Sequence, residues 1–208
     1  RADAEFFHVK YEPLLTAVKN YRHGCSSLHS QTTRSFPNFD ARKQHGDFQY
    51  IEIGDINISN GSYSSKILPS NRLPANAKFR MNGGEILISQ VRPTRGAIAI
   101  VNDVLERETI CSGAFYVCTV KDINRREIIW LYLRCVRNVF EKYCGGTSYP
   151  TIDSKYLSQF LVPFFSDYLA EKIRELIVTS KEAAQKSKRL LDQAKSCVEQ
   201  LIEEAVQS

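Results

Sequence analysis

The sequence predicts an α+β (mixed α/β) fold: a curled, mostly antiparallel, β-rich domain over residues 1–165, followed by one long coiled-coil helix over residues 166–208. Three observations predict it. Short runs of β-branched residues alternate with turn signals between residues 48 and 120. A run with apolar residues three and four apart covers 127–142, and an unbroken alternation of steps of four and three runs from Leu169 to Leu201.

In order along the chain, residues 3–22 read as a short helical arm interrupted at Pro13, with Leu14, Leu15 and Val18 on one side. Residues 25–47 are polar, rich in Ser, Thr, His and Asn, and read as loop. Strands are expected at 50–53, 56–58, 85–91, 96–102 and 114–120, with Asn60-Gly61 as a hairpin signal after the second. The helical run places Ile128, Leu131, Tyr132, Cys135 and Val139 on one face, and Cys144-Gly145-Gly146 supplies its stop. A last strand-like piece, 160–162, is stopped by Pro163.

Beyond Ser166 the seam is Leu169, Ile173, Leu176, Ser180, Ala183, Ser187, Leu190, Ala194, Cys197 and Leu201. A second line, Ile177, Ala184, Leu191, Val198, Ile202 and Ala205, widens the stripe so that more than one neighbour fits against it. A helix of about 40 residues is about 60 Å long and outruns the body of so small a domain, which implies a partner. Leu169, Ile173, Leu176, Ala183, Leu190, Ala194 and Leu201 are the expected interface, and the small mid-seam residues suit an antiparallel helix pair with a narrow waist.

At 208 residues the chain accommodates one ordinary domain and one attachment. The formal charge is +5, unevenly spread: up to Phe165 there are 21 Lys and Arg against 15 Asp and Glu, and beyond it 7 against 8. Excess positive charge on the globular part fits a polyanion there and a protein partner for the tail, although a solvated basic surface gives the same arithmetic. Six cysteines form no C-x-x-C pair and read as reduced core residues of a cytoplasmic protein. His23, Cys25 and His29 lack the partners that would complete a tetrahedral metal set, so no metal is expected. No apolar run approaches the length of a membrane span and no signal peptide opens the chain, which implies a protein without a membrane. The first residue is Arg1 rather than Met, which fits a piece of a longer protein.

Familiar catalytic motifs are missing. There is no Pro-Pro pair for a base-flipping amino-methyltransferase loop, no pair of glycines two residues apart, no Gly-Lys, no Glu-x-Lys and no H-E-x-x-H. The reading is therefore of a noncatalytic module without a cofactor.

Binding chemistry is present in three places. Arg92-Pro93-Thr94-Arg95-Gly96 joins two expected strands and offers two guanidinium forks and the Thr94 hydroxyl on a glycine-terminated loop; arginine reads guanine O6 and N7 with two bonds and also clamps phosphate. Gly145-Gly146-Thr147-Ser148-Tyr149-Pro150 exposes backbone N–H groups and two hydroxyls, suited either to phosphate or to close packing. The stretch 60–80, read as a long ordered loop, carries Tyr63, Lys66, Asn71, Arg72, Lys78 and Arg80 for base edges and backbone. Each pattern also occurs on solvated surface loops.

The order of four segments resembles target recognition domains of type I restriction-modification specificity subunits. They are Arg1-Ala2-Asp3-Ala4-Glu5-Phe6-Phe7 with Lys10-Tyr11, Tyr50-Ile51-Glu52-Ile53-Gly54-Asp55-Ile56, Ile86-Leu87-Ile88-Ser89-Gln90-Val91-Arg92-Pro93, and Gly146-Thr147-Ser148-Tyr149-Pro150-Thr151-Ile152. The resemblance implies a domain that reads half of a split site in double-stranded DNA. It also implies a conserved-region helix that acts as a ruler and docks DNA methyltransferase subunits, and a restriction subunit through them. Adenine methylation and restriction belong to those partners. A second specificity half, or a homodimer through the long helix, would complete the site. Where the family shows a Pro-Pro-Leu-x-Glu-Gln-like approach to the helix, this chain has Val162-Pro163-Phe164-Phe165-Ser166-Asp167, which puts the usual contacts at the helix start in question. Two alternatives stay open on the residues: the recognition tail of a single-chain N6-adenine DNA methyltransferase, and a structural coiled-coil adaptor.

Overall fold

The computed structural model describes residues 6, 8–34, 39–146 and 148–207. Its strands are β1 (Cys25–Ser27), β2 (Thr32–Thr33), β3 (Asp47–Ile51), β4 (Lys66–Pro69), β5 (Ala77–Met81), β6 (Ile86–Ser89), β7 (Ile98–Ile100), β8 (Thr109–Ser112), β9 (Phe115–Val120), β10 (Cys144–Gly145), β11 (Thr151–Ile152) and β12 (Leu161–Pro163). Its α-helices are α1 (Glu12–Lys19), α2 (Leu28–Gln31), α3 (Arg126–Cys135), α4 (Ser154–Gln159) and α5 (Asp167–Gln207).

The expected curled sheet is two stacked four-stranded sheets, in the orders β2-β9-β6-β7 and β4-β3-β8-β5, with two small two-stranded ribbons, β1-β12 and β10-β11. Pairing is antiparallel except between β3 and β8. Strand β6 shows why the layers stack as they do. Alternate side chains point to opposite faces. Ile86 and Ile88 accordingly join Ile98, Tyr116 and Cys118 against Ile129, Trp130 and Leu133 of α3, while Leu87 joins Ala99, Phe115 and Val117 against Ile51, Met81 and Cys111 of the second sheet. A strand covered on both faces reads as a continuous apolar run, as Ile86-Leu87-Ile88 does. The outer face of the second sheet is closed by a smaller cluster around Phe39, Phe48, Tyr50 and Ile110.

Several local expectations need correction. Pro13 lies in the first turn of α1 and starts the helix, since its missing N–H would be unbonded there in any case. The polar stretch after Cys25 contains β1, α2 and β2, with Leu28 fully buried. Residues 56–58 form no strand; a single bridge, Ile56 to Tyr63, closes the Asn60-Gly61 turn. The stretch 60–80 is not one loop, because β4 and β5 lie within it as the two edges of the second sheet. Helix α3 stops at Cys135, and the chain continues as a 3-10 segment, Arg137–Tyr143, laid against the turn Pro93–Arg95. Tertiary packing there overrides a continuous helical period.

Helix α5 has 41 residues, about 62 Å at the standard rise. Its start is fixed to the domain: Ser166 Oγ accepts from Leu169 N–H at 3.3 Å, Arg125 donates to the Phe165 carbonyl and pairs with Asp167, and the Phe165 ring meets Tyr132 edge to face. Ala170 is buried, Leu169 and Ile173 are partly covered, and Ile177 packs against the main core. From Val178 through Glu203 every residue is exposed. The expected interface therefore divides. Leu169 and Ile173 serve the chain's own domain in part, whereas Leu176, Ala183, Leu190, Ala194 and Leu201 stand in the open.

Candidate nucleic-acid interface

The connection from β6 to β7 is a 3-10 turn, Pro93–Arg95, held between two left-handed residues, Gly96 at φ 83° and Arg92 at φ 47°. Among the described residues Arg92 is the one non-glycine with positive φ. That backbone costs a residue with a Cβ about 1–2 kcal/mol, so neighbours must impose it. They do so from residues 150–154. Arg92 N–H donates to the Pro150 carbonyl at 2.7 Å, Val91 bridges Thr151, and Ile152 N–H donates to the Gln90 carbonyl at 2.9 Å. The Gln90 side chain in turn donates to the Ile152 carbonyl and to Ser154 Oγ.

This lacing brings two separately predicted loops onto one surface. The Arg92 guanidinium lies 4.2 Å from the centre of the Tyr149 ring, which is 62% exposed. Ser148, the residue before Tyr149, is exposed, as is Arg95 on the facing turn; Thr94 is half-buried, and Gly146, at φ 85°, closes its turn so tightly that a Cβ would lie 3.0 Å from the Tyr149 carbonyl oxygen. Thr147 lies outside the described residues. Among the described residues no carboxylate forms an ion pair with Arg92 or Arg95. The charge of this loop is therefore available to an anion.

Two arginines that the sequence did not single out support the loop from behind. A Cβ on Gly96 would lie 2.7 Å from Arg137 Cδ, so the missing side chain makes room for the Arg137 stem. Arg137 donates to the Arg134 carbonyl at 2.8 Å. The Arg134 guanidinium lies 5.2 Å from the Trp130 ring centre and donates to the carbonyls of Gly96, Ile98, Ile58 and Ser59. Burial, and then the neighbouring Arg137 charge, pull its pKa below the ordinary arginine value. Four carbonyl dipoles hold a cation that no carboxylate neutralises among the described residues. The partners lie 36 to 76 residues away in sequence, so no local pattern announces this residue.

The third predicted group is dispersed. Lys66 pairs with Glu52 and, at 3.4 Å, with Asp55, and Arg80 pairs with Glu108. Tyr63 turns inward, where its hydroxyl accepts from Asn102 N–H at 3.1 Å and burial raises its pKa. It lines an apolar groove of about 440 Å³ between Trp130 and the Ile173, Leu176 and Ile177 face of α5. Asn71 and Arg72 are exposed on a 3-10 turn, Ser70–Arg72. Lys78 is exposed on β5, its stem beside Gly113. Since Gly113 N–H donates to Asn76 and the Ala114 carbonyl accepts from Gln90, Lys78 sits at the same end of the sheets as Arg92.

The family model for the type I restriction modification DNA specificity domain matches residues 28–167, more than half of the chain. No curated protein sequence matches the chain at a significant level. Among solved structures, a chain from work on complex assembly and conformational transition of the type I R-M system is similar over 88% of this chain and 48% of that one, with 22% identity and a TM-score of 0.62. The HsdS subunit from Thermoanaerobacter tengcongensis is similar over 85% of this chain and 46% of its own, with 20% identity and a TM-score of 0.56. The chain thus spans about half the length of these structures, and at such identities the likeness is one of fold. On the match of its sequence, the chain belongs to the type I restriction modification DNA specificity domain family.

Proposed function

We propose that residues 1–165 read one half of a split site in double-stranded DNA, as half of a type I specificity subunit, and that residues 166–208 carry this reader to its partners. The observation that carries the proposal is the Arg92–Arg95 loop, whose arginines pair with no carboxylate among the described residues and which is laced to the Tyr149 loop at one end of the two sheets. Arginine forks at the tip of such a scaffold supply both requirements of sequence reading: bonds to base edges and charge against phosphates. The exposed seam of α5 suits association with a second recognition half or an identical chain, and its length of about 62 Å sets a fixed spacing between two readers. The same helix would offer docking to DNA methyltransferase subunits and, through them, a restriction subunit. Those partners perform the methylation and cleavage, and this chain supplies the address.

Methylation mapping tests the proposal. Genomes are sequenced at single-molecule resolution from a host expressing this protein with its neighbouring methyltransferase, and from the same host with this gene alone deleted. Loss of one bipartite adenine motif is expected. An unchanged set of modified motifs refutes the reading and leaves a structural adaptor as the function to pursue.

A further inference from the structure

We infer that Arg92 and Tyr149 form a preset guanine-reading fork, while Arg95 and Arg137 hold adjoining phosphate; the inference rests on the DNA-reading function proposed above and assigns roles within that site.

Glycine would adopt the left-handed backbone at residue 92 without strain, as it does at Gly96. An arginine there carries a strained backbone that the Pro150 bond holds in place. The side chain then rests on an exposed aromatic ring, 4.2 Å from its centre. Stacking fixes the plane of a guanidinium without using its N–H groups, and among the described residues no hydrogen bond or ion pair occupies them. A planar donor edge of set orientation matches the two acceptors, O6 and N7, that guanine presents side by side in the major groove. Adenine offers an acceptor and a donor at the same places, and the donor is repelled. Orientation fixed before binding also reduces the entropy lost on contact.

The other two cations have a different character. Arg95 is exposed at the end of the 3-10 turn, with neither ring nor carboxylate beside it among the described residues. Arg137 is half-buried with its stem against Gly96 and one nitrogen committed to the Arg134 carbonyl. Neither is oriented as a fork by a stack; Arg95 shares the loop with Arg92, and Arg137 lies against its end at Gly96. Positive charge so placed positions a phosphate and carries no base preference.

The test is selection of the complete chain on a random-sequence DNA duplex library, followed by affinity measurements at several salt concentrations. Wild type is expected to enrich a half-site containing a guanine that it prefers by roughly ten- to a hundredfold over the other bases. Arg92→Lys keeps the charge and loses the fork, so discrimination at that one guanine should fall to within about twofold while the affinity for random duplex stays. Arg92→Gly should lose the same preference with a melting temperature equal to or above wild type, because the backbone strain is relieved; that separates loss of reading from loss of fold. Tyr149→Ala should weaken the same position. Arg95→Gln and Arg137→Gln should lower affinity for every duplex alike and reduce the salt slope by about one each. Uniform loss in Arg92→Lys, or relaxation of a base by Arg95→Gln, overturns the assignment while DNA reading stands. Failure of wild type to enrich any sequence refutes the DNA-reading function itself.

Discussion

Replacing Leu176 and Leu190 together by Gln should dissolve the proposed association of the long helix and leave the globular part of the chain intact. Both side chains are more than half exposed, 58% and 56%, and neither belongs to a core cluster. Full burial of a leucine is worth about 1.5–3 kcal/mol at about 25 cal/mol per Å². With over half of each side chain still uncovered, a partner helix gains about 1–1.5 kcal/mol from each. In a symmetric pair the two positions occur twice, so about 4–6 kcal/mol is lost, a three- to four-decade rise in Kd. Gln is nearly as good a helix former as Leu, so the helix itself is preserved. Ala170 and Ile177 continue to anchor its first turns to the domain. Light scattering is the assay: wild type should run above the single-chain mass of 23.7 kDa at tens of micromolar, and the double variant at that mass with an unchanged near-ultraviolet spectrum. A double variant with the wild-type mass refutes the seam, and a variant that loses the near-ultraviolet signal refutes the separation of helix from domain.

Three further outcomes follow from local geometry. Gly61→Ala should lower stability by about 2–4 kcal/mol in denaturant melts, since its φ is +75° and a Cβ would lie 2.5 Å from the Trp130 ring and 2.9 Å from the Ile98 carbonyl oxygen; an unchanged midpoint contradicts that packing. Alkylation of the native protein near pH 8 should label the exposed Cys135, while Cys111 and Cys118, whose thiols burial pushes up, that of Cys118 to about 12, react only in denaturant. The hydrogen-bonded Arg126 holds the Asp103 carboxyl below its ordinary value, so its contribution is present above about pH 4 and is lost as pH falls through the lowered pKa. Asp103 is 65% exposed, so solvent screening limits the effect to under about 1 kcal/mol; Asp103→Asn should flatten the acid limb of the stability curve, and parallel curves would contradict the pairing.

The parts of the fold that were legible are those whose signal is local. Helix α5 announces itself because its seam repeats without interruption, and β6, β7 and β9 because apolar runs bounded by glycine and proline admit few other structures. Strand β5 escaped because Lys78 and Arg80 alternate with Ala77, Phe79 and Met81; the alternation of a half-buried edge strand was present, but the charges drew the reading toward a binding loop. Strand β1 is three residues whose strand partner among the described residues is β12, more than a hundred residues away. Leu28, an apolar residue in a polar stretch and fully buried, was the available hint. The site shows the same division. The Arg92 and Tyr149 loops were both visible as chemistry, but their union depends on the bond from Arg92 to Pro150, which no spacing rule contains.

Within the loop, the residues that hold are different from those exposed for contact. Pro93 and Gly96 are buried, Gly96 is closed over by Arg137, and its carbonyl is held by Arg134. Thr94, Arg95, Ser148 and Tyr149 contribute nothing to the three core clusters. Changes at the second set should therefore alter what is bound at stability costs near ±0.5 kcal/mol, the ordinary range for surface substitution. Changes at Pro93, Gly96 or Arg134 should move the loop as a body and disturb every contact at once. If the proposed DNA-reading function holds, replacing a few exposed side chains should be enough to change the target, because the two sheets, the half-buried Arg134 and the lacing to residues 150–154 specify where those side chains stand and not which they are.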